Sequence, residues 1–165
     1  MTKEFGSPSS YIQGNGVLFE SDQYLKGFGD KPLLLTDDSV YNIVGQKFES
    51  YLKDHGYSVV LVKFQGESSE NEINRIAQIG KDENVSAIYG LGGGKTSDSA
   101  KAIADNLDIP VVIMPTLAST DAPCSRLSVI YTDDGSFDHY RFYNHNPNLV
   151  LVDSHITVSY THLTL

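Results

Sequence analysis

Apolar residues along the chain alternate between short continuous runs and series at helical spacing. Pro32-Leu33-Leu34-Leu35 is an unbroken run that ends at Thr36-Asp37-Asp38, which predicts a short buried strand followed by helix-starting residues. Val40, Val44, Phe48 and Leu52 then recur every four residues as far as Asp54-His55-Gly56, so a helix is predicted there, closed by the glycine. Residues 57–64 are β-branched and aromatic and read as a strand. Ser69, with Glu72 three positions later, has the pattern of a capping box before Ile73, Ile76 and Ile79. A further strand is predicted over 85–91, broken by Gly92-Gly93-Gly94. A helix follows over 98–107, with Ala100, Ile103, Ala104 and Leu107 as its buried stripe, and then a strand over 110–114 ended by Pro115.

Beyond residue 115 the rhythm changes. Two apolar stretches, 127–132 and 137–142, flank Asp133-Asp134-Gly135, which is the signal of a β-hairpin. Residues 148–153 form a last short apolar strand, and 11–14 form a first one. Strand–helix alternation from 32 to 114 predicts βαβ units and a parallel sheet. The expected fold class is therefore α/β, a doubly wound parallel sheet of Rossmann-like type with an inserted β-hairpin.

Composition narrows the function classes. The chain has 165 residues, 40% of them hydrophobic, which suits one ordinary globular domain. Twelve basic against twenty-one acidic residues leave a formal charge of −9, which disfavours nucleic acid as a partner. One cysteine, Cys124, excludes an internal disulfide framework and suits a reducing compartment. No apolar run approaches the ~20 residues of a membrane span. Met1-Thr2-Lys3-Glu4-Phe5-Gly6-Ser7 lacks the apolar core of a signal peptide, so a cytoplasmic location is expected.

Ligands of open parallel sheets bind beyond the carboxyl ends of the strands, near the point where strand order reverses. Three predicted strand ends carry unusual sequence. At the first, Gly90-Leu91-Gly92-Gly93-Gly94-Lys95-Thr96-Ser97-Asp98, bare glycines would let backbone approach a ligand, and the following helix would aim free N–H groups at an anion. A Walker A loop would need glycine where Tyr89 stands, and the G-x-G-x-x-G fingerprint would need it where Lys95 stands. A phosphate site is favoured over a plain strand-to-helix turn. At the second, Asp37 could accept hydrogen bonds from ribose hydroxyls and would repel a 2′-phosphate, or it could simply cap the next helix. At the third, Thr116-Leu117-Ala118-Ser119-Thr120-Asp121 offers small donors and acceptors around a cofactor, although Asp121 before Ala122-Pro123 also fits an Asx-type turn. Cys124 has no base supplied by the pattern, and the five histidines show no metal-ligand spacing.

Three stretches, GGGKTSDSAKAIAD (92–105), MPTLASTDAPCSRLSVIYTDDGSF (114–137) and NPNLVLVD (146–153), together resemble the glycerol dehydrogenases of the metal-containing, iron-type alcohol dehydrogenase superfamily. The run STDAPCS is the specific part. The resemblance implies an NAD-binding α/β domain over residues 1–156, followed in the family by an all-helical domain that holds a divalent metal, usually zinc. Carried onto matching positions, Asp37 would contact the adenosine ribose, and Gly94, Lys95, Thr96, Ser97 and Asp98 the pyrophosphate side. Thr116, Leu117, Ala118 and Ser119 would line the cofactor, Asp121 would hold substrate hydroxyls, and Ser125, Leu127 and Tyr131 would pack near the nicotinamide.

The implied reaction is NAD-dependent oxidation of glycerol to dihydroxyacetone, with homo-oligomers as the usual assembly and neither nucleic acid nor membrane as a partner. Another small polyol or glycerol phosphate as substrate, and a non-catalytic nucleotide-binding module, are the alternatives. The metal ligands of the family have no counterpart here. Residues 157–165 depart from its pattern, as a non-family tail from a truncated or misassembled reading frame would, so the chain reads as the cofactor half and as inactive alone.

Overall fold

The structure, a computed structural model, describes residues 5–163, with side chains as far as Ser159 in the last helix. The readings made on Met1–Glu4, on the His162 side chain and on residues 164–165 fall outside the described residues.

Six parallel strands form the central sheet: β1 Ser10–Gly14, β2 Pro32–Thr36, β3 Val60–Lys63, β4 Ala87–Gly92, β5 Val111–Pro115 and β8 Leu149–Asp153. Their order is β1-β8-β5-β4-β2-β3. Strands β6 Leu127–Tyr131 and β7 Phe137–Phe142 pair as a separate antiparallel hairpin inserted between β5 and β8. Gly135, at φ 86°, supplies the left-handed backbone its turn needs. The doubly wound sheet with an inserted hairpin is thus observed.

Both faces of the sheet are covered, which is why its inner strands β2, β4, β5 and β8 are buried along nearly their whole length rather than alternating. Leu34, Tyr89, Leu91, Val112, Met114, Leu149 and Leu151 face one layer, against Phe48, Leu52 and Ile156. Leu33, Leu35, Ile88, Ile113 and Val150 face the other, against Ile73 and Ile76 of α4 (Glu70–Asp82) and Ala100 and Ile103 of α5 (Gly94–Leu107).

Several boundaries shift for identifiable reasons. Tyr57 N–H donates to the Leu52 carbonyl and Ser58 N–H to the Asp30 carbonyl, so the third strand starts only at Val60. The helix predicted from Val40 to Leu52 is α2 (Asp38–Val40) and α3 (Gln46–Asp54), joined by a π turn over Tyr41–Gly45. A short helix, α1 (Asp22–Leu25), precedes β2. Ser69 caps α4 by accepting from Glu72 N–H, but the Glu72 carboxylate turns to Gln65 N–H and Arg75 instead of back to Ser69, so only half of the expected capping box forms.

The last helix, α6 (Ser154–Leu163), begins directly after β8 and runs through the position expected to end the family-like segment, with Ile156 and Thr157 buried. Asp153 joins it to the start of the chain. Its carboxylate accepts from Gly16 N–H, Leu18 N–H and His155 N–H, each at 3.0 Å.

Candidate cofactor-binding site

Strand β2 runs out to β3 on one side, and the chain then crosses back to place β4 on the other. The switch point of the sheet therefore lies between the carboxyl ends of β2 and β4. Asp37 stands at the first of these ends and Gly93 at the second.

Asp37 caps α2: its Oδ1 accepts from Val40 N–H at 2.9 Å, and the side chain stays half-buried. One carboxylate oxygen is thus committed to the helix. The other retains the lone pairs a ribose hydroxyl would need. The two readings of Asp37 are compatible.

The three glycines divide the work at β4. A Cβ on Gly92 would lie 2.6 Å from Thr96 Oγ1, and one on Gly90 would lie 2.7 Å from the Ala100 Cβ. Those two are bare so that α5 can pack directly on its own strand. Gly93 and Gly94 are bare on the open side, where a Cβ would meet only Leu117 at 4.0 Å and Thr120 at 3.3 Å. Helix α5 starts four residues earlier than the pattern predicts, at Gly94, and no side chain caps it. Amides at the start of a helix have no intrahelical acceptor and carry the positive end of the helix dipole. The uncapped start of α5 and the bare glycines thus form a backbone cradle at the switch point, an arrangement that suits an anion.

The loop after β5 faces this cradle. Thr116 is buried and ties the loop to the glycines through its N–H to the Gly92 carbonyl at 3.0 Å. Leu117 is half-buried, and Ala118, Ser119, Thr120 and Asp121 are exposed. The Asp121 carbonyl accepts from Cys124 N–H and Ser125 N–H, which folds 121–125 into a compact turn.

Lys95 and Asp98 are placed differently from each other. Lys95 reaches out from the first turn of α5, where Glu67 holds it at 2.6 Å and its ammonium lies 5.8 Å from the centre of the Tyr131 ring. Asp98 is only 6% exposed and turns under the hairpin, where Oδ2 accepts from Val129 N–H at 3.1 Å. Its Oδ1 lies 3.0 Å from Lys101 Nζ, a charge contact outside hydrogen-bonding geometry. Burial pushes the Asp98 carboxyl up and the Lys101 ammonium down, each opposed by the charge of the other. In this structure Asp98 anchors the hairpin and does not point to the glycine cradle, because Val129 and Lys101 occupy both of its oxygens.

Of the remaining candidates, Thr96 and Ser97 are buried in the first turn of α5, and Ser97 Oγ donates back to the Gly93 carbonyl. Ser125 and Leu127 lie together, with Ser125 Oγ 3.3 Å from the Leu127 carbonyl. Tyr131 is tied by its N–H to the Ser68 carbonyl beside the Lys95–Glu67 pair. Glu67 and Lys101 are the residues the pattern did not single out. Glu67 sits in an irregular loop without a motif, and Lys101 is an isolated cation in a helix.

A cavity lies elsewhere. It is an open hollow of about 740 Å³, lined by Pro110, Val111 and Asn148 at the amino ends of β5 and β8, the end of the sheet opposite the glycines, and reaching Lys101 and Asp105 of α5. Among the described residues no three His, Cys, Asp or Glu side chains gather as a metal would require, and no helix is long and apolar enough to cross a membrane.

A sequence profile described as iron-containing alcohol dehydrogenase matches residues 8–154. The chain belongs to that family. A glycerol dehydrogenase of Escherichia coli O6:H1 is 46% identical over 156 residues, which is 94% of this chain and 42% of the relative. A glycolaldehyde reductase of Halobacterium salinarum is 41% identical, over 96% of this chain and 44% of its own length. Among solved structures, the glycerol dehydrogenase of Schizosaccharomyces pombe superposes with a TM-score of 0.86 at 41% identity, covering 95% of this chain and 40% of its own. The chain thus spans about two-fifths of the length of these iron-containing alcohol dehydrogenase relatives, and the shared part contains the sheet, the glycine turn and the hairpin.

Proposed function

We propose that this chain forms the dinucleotide-binding part of an NAD-dependent polyol dehydrogenase, with glycerol oxidised to dihydroxyacetone. The observation that carries this reading is the uncapped start of α5 at the sheet's switch point, with Gly93 and Gly94 bare toward the loop 117–120. The cradle suits a pyrophosphate, and Asp37 suits the 2′-hydroxyl of NAD while repelling the 2′-phosphate of NADP. When bound, the nicotinamide supplies the hydride acceptor, and the protein supplies placement.

On this reading the amides of Gly94, Lys95 and Thr96 and the Lys95 ammonium hold the pyrophosphate. Thr116, Leu117, Ala118 and Ser119 line the cofactor, Asp121 accepts hydrogen bonds from substrate hydroxyls, and Ser125, Leu127 and Tyr131 border the nicotinamide end. The residues described here do not fit a metal centre, so no step is assigned to one. The name of the Halobacterium relative favours a second substrate reading, reduction of a two-carbon hydroxyaldehyde at the same place.

The reading is tested by titrating the chain with NADH and following cofactor fluorescence, with NADPH and ATP as comparators. Saturable binding of NADH, weaker binding of NADPH and loss of the NADH signal in Asp37→Ala are expected. ATP binding as tightly as NADH, with Asp37→Ala and Asp121→Ala without effect, would favour a plain nucleotide-binding module.

A further inference from the structure

Lys101 is 4% exposed, on the face of α5 turned toward the loop that follows β5. Its Nζ is surrounded by oxygen. It donates to the Ala122 carbonyl at 2.7 Å and to the Leu127 carbonyl, lies 3.4 Å from both the carbonyl and the hydroxyl of Ser125, and pairs with Asp98 Oδ1 at 3.0 Å. An ammonium has three protons, and here the Ala122 and Leu127 carbonyls accept two of them, Ser125 offers its carbonyl and hydroxyl to the third, and the Asp98 carboxylate balances the charge. A neutral amine has only two protons and would leave the buried Asp98 carboxylate without a compensating charge, so the site is built for the charged form despite its burial.

The placement of those acceptors is informative. Asp98 would suffice to neutralise the charge. Yet Ala122, Ser125 and Leu127 span the segment from the turn after Asp121 to the first residue of β6, and their carbonyls converge on one point. Asn146 Nδ2 and Tyr143 N–H hold the Cys124 and Arg126 carbonyls from outside, and the Lys101 ammonium gathers those of Ala122, Ser125 and Leu127. The Asp121 carbonyl is occupied locally by Cys124 and Ser125 N–H, so the turn and the cation together leave the Asp121 side chain on the exposed side.

We infer that Lys101 is a positioning residue: its buried ammonium folds the 121–127 loop and thereby sets the direction of Asp121 and the place of Ser125 and Leu127. The significance for polyol binding rests on the function proposed above, whereas the folding of the loop around the ammonium does not. The competing role is simple neutralisation of Asp98 to keep the hairpin on α5.

Amide hydrogen exchange on the chain without ligand separates the two. In Lys101→Met, the amides of Cys124 and Ser125 should exchange at least tenfold faster. In the double variant Asp98→Asn/Lys101→Met, which removes both buried charges, the loop should remain at least tenfold faster than in the original chain. Supplying n-propylammonium to Lys101→Ala should slow the loop again, and n-propanol should not. If the double variant recovers the original loop protection, or if the alcohol rescues as well as the ammonium, Lys101 is not the organiser of the loop. Should Lys101→Met fail to fold, the double variant and the rescue decide alone. NADH titration of the same variants reads the functional proposal separately: loosened loops in a chain that never bound NADH would uphold the positioning role while contradicting the dehydrogenase reading.

Discussion

Lys95 Nζ lies 2.6 Å from Glu67 Oε2 at the mouth of the glycine cradle, so the one lysine in the glycine turn meets a carboxylate before it meets any phosphate. Glu67 enters from the loop after β3, and Gly135 of the hairpin turn comes close enough that a Cβ there would meet its Oε1 at 3.5 Å. The pair is half exposed on the lysine side, which places its strength in the range of about 0.2–1 kcal/mol.

Release of Lys95 should therefore strengthen anion binding modestly. Glu67→Gln is expected to bind NADH up to about fivefold more tightly at low salt, since about 1 kcal/mol corresponds to that factor. Lys95→Met should bind more weakly, and its binding should depend less on salt. Fluorescence titration at two ionic strengths checks both.

The glycines should not respond alike to alanine. At Gly92 and Gly90 the added Cβ would sit 2.6 Å and 2.7 Å from atoms of α5, so α5 must shift off its strand, at a cost of about 1–3 kcal/mol. Gly93 has φ −86° and no atom within 3.9 Å of an added Cβ, so Gly93→Ala should leave the denaturation midpoint almost unchanged while weakening NADH binding by filling the cradle. Urea melts of the three variants, with NADH titration of the last, would show the split.

Asp153 is 3% exposed and takes hydrogen bonds from three backbone amides belonging to the first turn of the chain and to α6. Asp153→Ala leaves those donors without their acceptor. A loss of about 2–4 kcal/mol in chemical denaturation is expected, with the fluorescence of the folded chain unchanged.

Acid should destabilise the chain. Hydrogen bonds from Lys26 to Asp22, from Ser69 and Asn71 to Asp133, and from Thr132 and Ser136 to Asp134 hold these carboxyls below their ordinary value of 3.8. Each binds its proton more weakly when folded, so its contribution is present above that value and is lost as the pH falls through and below it. Asp98, pushed up by burial, has the opposite sign: its contribution is present at low pH and fades as the pH rises. Glu49, raised by burial but held below 4.5 by hydrogen bonds from Lys53 and Tyr41, acts in the same direction as the three, so Tm should fall between pH 5 and pH 3, and the fall should shrink in Asp133→Asn/Asp134→Asn. A Tm independent of pH over that range would contradict the assignment.

Much of the fold is legible because the sheet is buried on both faces. Leu33-Leu34-Leu35 and Ile88-Tyr89-Gly90-Leu91 have to be apolar at every position, and unbroken runs of that kind mark parallel strands. Boundaries set by long-range backbone bonds are not legible, as with Ser58, whose amide is taken by Asp30 before the third strand begins. The glycine turn is legible as chemistry, but the separate duties of Gly90 and Gly92 against Gly93 and Gly94 depend on where Thr96 and Ala100 pack. Lys101 is hidden for a plainer reason. A lysine in Ala-Lys-Ala-Ile-Ala looks like a solvent-facing helix residue, and the carbonyls that bury it come from a loop more than twenty residues later. Asp98 reads as part of the phosphate turn for the same reason: its partner, the Val129 amide, belongs to a hairpin whose packing no local pattern announces.

The most direct test of the account is to map the backbone amides of the chain by NMR as NADH is added. The account predicts saturable shifts concentrated at Asp37, at 93–97 and at 116–121, and little change at Pro110, Val111 and Asn148 around the large cavity at the far end of the sheet. Shifts centred on that cavity, or no saturable shifts at the glycine turn up to millimolar NADH, would contradict it.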